Sequence, residues 1–286
     1  MFHIGSDPFA CLRTVAGGVF AAWIAIYPGW LVAQEQLDLE TTAAIELDPL
    51  TPDPTDGRSW QFRVGVLAVA GSEFDGSDDY DVKAVPYARV AYKDWVVLRG
   101  RSIEANLVNT HGLRIGPLLR TRGGRDEDEA DFLNGFGDVD RAWEAGGFLR
   151  LSRGPLRLRV RAAHDVADAH DGLVVDINGG IQLPMENPWL ILRVGATWAD
   201  SDYMGSFFGV NADQSTRAGI ASFSAGAGFK DAGVSISSRC PIGEHISAVI
   251  SFGYRRLLGD AADSPIVSDF GDADQFFGTV GAIYSF

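Results

Sequence analysis

Apolar and polar residues alternate along most of the chain after residue 60, and the last stretch, Gln275 to Phe286, shows the pattern most plainly. One face of that stretch carries Phe276, Gly278, Val280, Ala282, Tyr284 and Phe286, while the other is mostly small or polar. A period of two predicts a β-strand with one apolar face. Its length of about ten residues suits a strand that crosses a bilayer within a β-barrel.

The same period recurs often enough to predict a whole barrel. We predict an all-β fold, a transmembrane antiparallel β-barrel of about 12 strands that occupies residues 60–286. The predicted strands are Trp60–Ala70, Asp81–Tyr92, Trp95 to about Ile103, Leu113–Thr121, Trp143–Leu151, Leu156–Ala162, Leu173–Leu183, Trp189–Ala199, Gly219–Phe229, Ala232–Cys240, Ile246–Arg256 and Gln275–Phe286.

The N-terminal segment predicts export. Arg13 precedes an apolar run, Val15 to Ile26, and small residues follow up to Ala33. This order is typical of a secretory signal peptide, which we assign to residues 1–33. Residues 34–59 are acidic and contain three closely spaced prolines, so we expect a disordered acidic tail that acts as a linker. The chain is therefore predicted to reach the outer membrane of a Gram-negative cell.

Charged residues occupy the faces of several strands that would point into the barrel. An Arg that faced lipid near the midplane would cost roughly 2–4 kcal/mol, so these side chains are expected to line a polar lumen. Two interpretations stay open: the network fills and rigidifies a small barrel, or it lines a narrow charged pore. The predicted network is Arg114, Arg120, Glu144, Arg157, Arg159, Arg161, Asp165 and Asp176.

Four acidic segments interrupt the strands, and their order resembles that of the MipA/OmpV family of outer-membrane proteins, the MltA-interacting proteins. The resemblance covers about residues 60 to 286. It is carried by Phe74–Tyr80 (FDGSDDY), by GRDE and GFGDVD within Gly124–Asp140, by WADSDYM and FFGV within Trp198–Val210, and by Arg256–Val267 (RLLGDAADSPIV).

The resemblance implies a non-enzymatic scaffold that links murein-remodelling enzymes, a periplasmic hydrolase or synthase, to the outer membrane. Alternatives are a narrow small-solute channel and a surface adhesin. Outer-membrane lipid is the other expected partner. The inserts supply the candidate partner-binding residues Asp78, Asp79, Tyr80, Arg125, Asp126, Asp138, Asp140, Trp198, Asp200, Tyr203, Met204, Asp260, Asp263, Ser264 and Pro265.

Other chemistries are weakly supported by the sequence. A net charge of −14 argues against nucleic acid as a partner. The acidic inserts offer oxygen ligands for Ca²⁺ but lack the full EF-hand spacing, so Arg-paired loops are the competing interpretation. Asp260 and Asp263 suit acid–base chemistry or, equally, a capped turn. With no Gly-x-Ser-x-Gly motif, we predict no catalytic residue, no metal and no cofactor.

Twelve strands with both termini in the periplasm fix an expected side for each insert. Residues 123–138 and 200–217 would then lie in the periplasm, and residues 71–80 and 257–275 outside. Outer-membrane barrels usually keep short turns in the periplasm. Two alternatives follow: the strand number is wrong by a hairpin, or the barrel has unusually long periplasmic inserts, which would suit a protein that recruits periplasmic enzymes.

Overall fold

A computed structural model describes residues 59–183 and 189–286; the predicted signal peptide and acidic tail lie outside these residues. The chain forms an antiparallel sheet whose order follows the sequence almost throughout. Its strands are β1 (Trp60–Ser72), β2 (Tyr80–Tyr92), β3 (Val96–Arg99), β4 (Ser102–Ala105), β5 (Val108–Thr110), β6 (Leu113–Arg122), β7 (Ala142–Arg153), β8 (Leu156–Asp165), β9 (Leu173–Leu183), β10 (Trp189–Ala199), β11 (Gly228–Pro241), β12 (Ile246–Leu257) and β13 (Asp274–Ser285).

The sheet closes into a barrel through two pairings between strands that are not consecutive in sequence. β1 pairs with β13, from Arg63 with Ser285 to Ala70 with Gly278. β4 skips β5 and pairs directly with β6, which closes the ring. Because β4 and β5 both pair with β6, they share one position, and the described strands fill twelve positions. The predicted all-β barrel is confirmed.

The strand number agrees with the prediction because two errors offset each other. The predicted strand from Trp95 to about Ile103 is wrong, since Gly100 has a φ of +51° and turns the chain into the β3–β4 hairpin. The predicted strand Gly219–Phe229 is also wrong. Gly219 ends a helix in the left-handed conformation, and the chain enters β11 only at Gly228.

The outward face of the barrel is apolar and carries aromatic residues near both ends. Val66, Val194 and Val280 are among the exposed residues between them. At the end where β1 begins, the ring centroids of Trp60 and Tyr92 are 4.7 Å apart. At the opposite end, Phe252 and Phe276 stack at 6.3 Å. An apolar band between aromatic girdles is the surface that a bilayer covers.

Helices occur only in the segments that connect strands, within the described part of the chain. None of the described helices is long and apolar enough to cross a membrane. They are α1 (Ser201–Phe208), α2 (Ala212–Ala218), α3 (Asp260–Asp263) and α4 (Pro265–Ser268). Two 3-10 turns, Glu127–Glu129 and Asp131–Leu133, lie between β6 and β7.

All four inserts lie at one end of the barrel, opposite β1's first residue and β13's last. The described links at the other end are short turns, such as those between β7 and β8 and between β11 and β12. The predicted division, with two inserts on each side, is therefore wrong. The prediction failed because the β3–β4 hairpin was missed and a strand was wrongly predicted at 219–229. Every strand between these two errors was therefore predicted to cross the membrane in the opposite direction. We call the four inserts, residues 73–79, 123–141, 200–227 and 258–273, the cap.

Candidate functional site

The cap has a hydrophobic core to which every insert contributes. Because apolar side chains from all four segments exclude water together, the inserts fold as one unit over the barrel mouth rather than as separate loops. A second buried cluster, with Tyr203, Met204 and Phe208, continues down to the ends of the strands. The upper core consists of Phe74, Leu133, Phe136, Val210, Ile220 and Ile266.

The first insert is held against the fourth by a close backbone approach. Gly76 has a φ of +100°, and a Cβ there would lie 2.5 Å from the Val267 side chain. Asp272 N donates to the Gly76 carbonyl at 2.9 Å. Glycine is required at this position because φ is positive and because a Cβ would collide with Val267. The FDGSDDY segment therefore has a structural role first of all.

The second insert closes on itself through its acidic residues. Arg125 and Val139 exchange two backbone hydrogen bonds of 2.9 and 2.8 Å. The Glu127 carboxylate accepts from Gly135 N and Gly137 N at 2.9 and 3.0 Å. Arg125 Nη1 then donates to the Phe207 carbonyl at 2.6 Å, which ties this insert to α1. The carboxylates therefore organise backbone donors within the cap.

The third and fourth inserts use Asp and Ser as helix and turn caps. Asp200 accepts from Tyr203 N at 3.1 Å, as the N-cap of α1, and from Leu173 N at 2.8 Å. Ser264, which is fully buried, donates to the Phe208 carbonyl at 2.7 Å. Ser264 also accepts from Ile266 N at 3.3 Å, so it caps the turn that begins at Pro265. Asp260 instead accepts from Gly226 N, a backbone amide of the third insert, at 2.6 Å and ties the two inserts together.

Directly beneath the cap, an ion-paired layer joins the first insert to the barrel wall. Asp75 binds Arg255 Nη2 at 2.6 Å and also pairs with the fully buried Lys230. Lys230 lies 2.9 Å from Asp231. Burial alone would raise the pKa of Asp75, but Arg255 and Lys230 outweigh it and hold that pKa well below its usual range. The insert is thus anchored by charge inside the lumen.

A second layer is centred on Glu144, which is fully buried. Its two oxygens accept from Arg120 Nε and Arg122 Nε, each at 2.5 Å. His170 Nε2 lies 3.3 Å from the same carboxylate. Arg120 also donates to Asp176 at 2.6 Å. Strands β6, β7 and β9 therefore bring opposite charges into contact inside the lumen.

A third layer lies further from the cap around Glu104. Arg150 binds its carboxylate at 3.0 Å, and Arg159 pairs with the other oxygen. The remaining members of the predicted network lie elsewhere. Arg157 donates to the carbonyls of the β7–β8 turn, and Asp165 accepts backbone amides of residues 167–171. The structure therefore brings together Arg120, Glu144, Asp176 and Arg161, the last at 3.7 Å from Asp176. Arg114 lies apart from them, 3.7 Å from Asp94.

The candidate partner-binding residues divide into buried and exposed groups. Trp198 lies on the outward face of β10, and Asp126, Asp200 and Asp260 are half-buried. The buried residues serve the cap's own packing. These are Arg125, Tyr203, Met204, Ser264 and Pro265, whereas Asp78, Asp79, Tyr80, Asp138, Asp140 and Asp263 are exposed.

Several lumen residues were missed at the sequence level. Lys230 and Asp231 are consecutive and both buried, because the register between β10 and β11 shifts at Thr197 and Trp198. A β-bulge of this kind breaks the period of two. Glu104 was missed because the β3–β4 hairpin, which changes the residues that point inward, was predicted as a single strand from Trp95. Asp75 lies in one of the acidic inserts that were considered as a source of Ca²⁺ ligands, and Lys230 and Arg255 pair with its carboxylate instead.

Within the described residues, no group of three or more His, Cys, Asp or Glu side chains is arranged to hold a metal ion. Two groups of the second insert have shifted pKa values. Burial, followed by the nearby Asp126, raises the pKa of Glu129 to about 7. Burial lowers the pKa of Arg125 to about 10, against the opposing charge of Glu129.

A closed antiparallel barrel with a lipid-compatible outer face and a charged, buried lumen defines an outer-membrane β-barrel protein. The chain belongs to the family described as MltA-interacting protein MipA, whose family model matches residues 64–286. The family resemblance expected from the four insert motifs is confirmed, and so is the outer-membrane location.

The chain is also similar to the putative outer membrane protein YiaT of Escherichia coli (strain K12), with 30% identity over 113 residues. That match spans 38% of this chain and 44% of the relative, less than half of its length. The same figures hold for YiaT of Escherichia coli O157:H7.

Solved structures with a similar strand arrangement include an outer membrane channel from Pseudomonas putida F1. Its TM-score is 0.40 at 10% identity, and the alignment covers 82% of this chain and 100% of that one. An anion-selective porin from Comamonas acidovorans has a TM-score of 0.32 at 10% identity, over 79% and 98% of the two chains. Likenesses at these scores carry no functional argument.

The barrel's orientation follows from its two unequal ends. Outer-membrane barrels place short turns in the periplasm and longer loops outside the cell. We therefore expect the cap end to face the exterior. The short-turn end, with the first residue of β1 and the last of β13, is then expected to face the periplasm.

Labelling of introduced cysteines tests this orientation. We expect Asp213→Cys, on exposed α2, to react with a membrane-impermeant maleimide on intact cells. Glu244→Cys, in the exposed β11–β12 turn, should react only after the outer membrane is permeabilised. The parent chain sets the background from its own cysteines. Reaction of Glu244→Cys on intact cells would reverse the orientation.

Removal of the central carboxylate tests the ion-paired layer. Glu144→Gln keeps the side-chain volume but leaves Arg120 and Arg122 without their shared buried charge. We expect the free energy of unfolding to fall by about 3–5 kcal/mol, the usual effect of breaking a buried ion pair. Urea unfolding in lipid vesicles measures it. Asp140→Asn, at an exposed cap residue, is the control and should change little; equal effects would contradict a stabilising role for the layer.

The raised pKa of Glu129 predicts a pH-dependent cap. Between its ordinary pKa of 4.5 and about 7, folded Glu129 binds a proton that the unfolded chain releases. Its contribution to the free energy of unfolding therefore falls as the pH rises through this window. Glu129→Gln should match the parent chain at pH 4.5 and be more stable at pH 8. Urea midpoints at the two pH values check this, with Asp213→Asn as control; a Glu129→Gln difference that does not depend on pH would reject it.

Proposed function

We propose that this chain is a closed, non-enzymatic outer-membrane anchor that holds a murein-remodelling enzyme near the membrane. The observation that carries the proposal is the occupied lumen. A packed cap lies over one mouth, and ion-paired layers around Lys230, Glu144 and Glu104 lie beneath it. This interior favours rigidity over transport, because the charges of each layer pair between strands or with the cap.

A protein partner is suggested by the family description, MltA-interacting protein. We place the contact at the short-turn end rather than at the cap. Murein and its enzymes lie in the periplasm, whereas the cap is assigned to the exterior by the lengths of its connections. The exposed turn from residue 242 to 245 and the acidic residues 34–59 are the proposed contact regions.

Site-specific photo-crosslinking tests this placement. A photo-reactive amino acid at Glu244 should yield an adduct with a murein hydrolase or synthase in intact cells. The same replacement at Asp213 should not, although both positions are exposed acids. Mass spectrometry of the purified adducts identifies the partner. Adducts with murein enzymes from Asp213 alone, or from neither position, would reject the proposed anchor.

Two other functions have specific support. Exposed acids on the cap, such as Asp138 and Asp140, favour a surface adhesin that contacts a basic partner outside the cell. The buried arginine layers favour a narrow channel if the cap opens. Planar-bilayer recordings separate the channel from the anchor, because stable openings by the purified protein belong only to the channel.

A further inference from the structure

The barrel wall is not hydrogen-bonded along its full height between β1 and β13. Ladder pairing toward the cap stops at Ala70 and Gly278. β1 continues to Ser72, where it pairs with β2, and β13 starts at Asp274, where it pairs with β12. The two strands that close the barrel therefore separate near the cap. We call this gap the seam.

Side chains bridge the seam in place of backbone pairs. Ser72 donates to the Gln275 side-chain oxygen, and Gln275 Nε2 donates to the Ser77 carbonyl at 3.0 Å. Phe276 N donates to the Tyr80 hydroxyl at 3.1 Å. Side-chain bridges of this kind separate more readily than a strand ladder, because single bonds replace a cooperative row.

Behind the seam lies a small pocket of about 50 Å³ between the cap and the wall. Its lining includes Glu73, Asp75, Arg125 and Arg255. The two acids and two bases give a net charge of zero, so the lining favours a polar group that carries no net charge. Burial, then Asp79 and Asp81, raises the pKa of Glu73.

In front of the seam, the lipid-facing surface has a groove of about 310 Å³ that extends from β10 to β2. Small residues Ala68, Ala70 and Gly278 form part of its lining, and larger apolar residues, such as Phe252, border them. The groove lies within the apolar band, where hydrocarbon is the solvent.

The groove and the pocket meet at the same two residues. Phe276 and Phe277 line both cavities. Their side chains lie on opposite faces of β13, since Phe276 stacks outside on Phe252 and Phe277 lies against Gly253. The apolar groove outside the wall and the polar pocket under the cap therefore lie on the two sides of β13, next to the seam.

We propose that the groove and seam bind one amphiphile from the outer leaflet, with its hydrocarbon chain in the groove and a head of no net charge at the seam. A second copy of the chain fits poorly, because a two-fold interface would set this concave surface against itself. The site would take its ligand sideways from the membrane, since the cap covers the exterior mouth.

The test uses glycines that can accept a side chain. A Cβ at Gly278 would meet only the Ser251 carbonyl, at 3.8 Å, so Gly278→Phe fills the groove without a backbone clash. The control is Gly179→Phe on the outward face of β9, where the nearest atom is Val194 Cγ2 at 3.6 Å. The full chain in detergent is titrated with palmitoyl-lysophosphatidylcholine and observed by native mass spectrometry.

We expect the parent chain and Gly179→Phe to retain one amphiphile per chain. Gly278→Phe should bind about tenfold more weakly, as expected when roughly two methylene groups lose their contacts. Ala70→Leu, a smaller change in the same groove, provides a second variant if Gly278→Phe does not fold. Equal binding by the groove variants and the control, or no single-ligand adduct with the parent chain, would overturn the proposal. This outcome is independent of any murein partner.

Discussion

The structure depends on opposite charges that are buried together inside a membrane-spanning wall. Glu144 is held between Arg120 and Arg122, and Asp176 shares Arg120. An arginine cannot face the hydrocarbon without a large penalty, so these charges fix which face of β6, β7 and β9 points inward. A slip of one residue in β6 would turn Arg120 and Arg122 toward lipid. The ion pairs therefore determine register as well as stability.

The alternation of residues predicted this wall well because a bilayer on one side and a charged lumen on the other impose opposite polarity on neighbouring positions. The pattern failed where that contrast is absent. Gly100 turns the chain between Arg99 and Arg101, just after four consecutive apolar residues, and Gly219 to Phe229 alternates although it packs against other inserts. Period alone cannot distinguish lipid from the interior of a cap.

The candidate site was only partly accessible to sequence reasoning. Family motifs identified the segments that form the cap, but their buried residues, Tyr203 and Ser264 among them, hold the cap together instead of presenting a surface. The pairing of Asp75 with Lys230 joins residues that are 155 positions apart and depends on a β-bulge. No local pattern encodes such a contact, since it exists only once the barrel has closed.

The ion pairs of Asp75 also determine how the cap responds to the salt concentration. Salt weakens interactions between exposed charges, but it screens buried pairs much less. The contacts of Asp75 with Lys230 and Arg255 lie beneath the cap, where water and dissolved ions have little access. The cap should therefore stay closed equally well in fresh and in saline surroundings, the two conditions that a surface facing the exterior would meet.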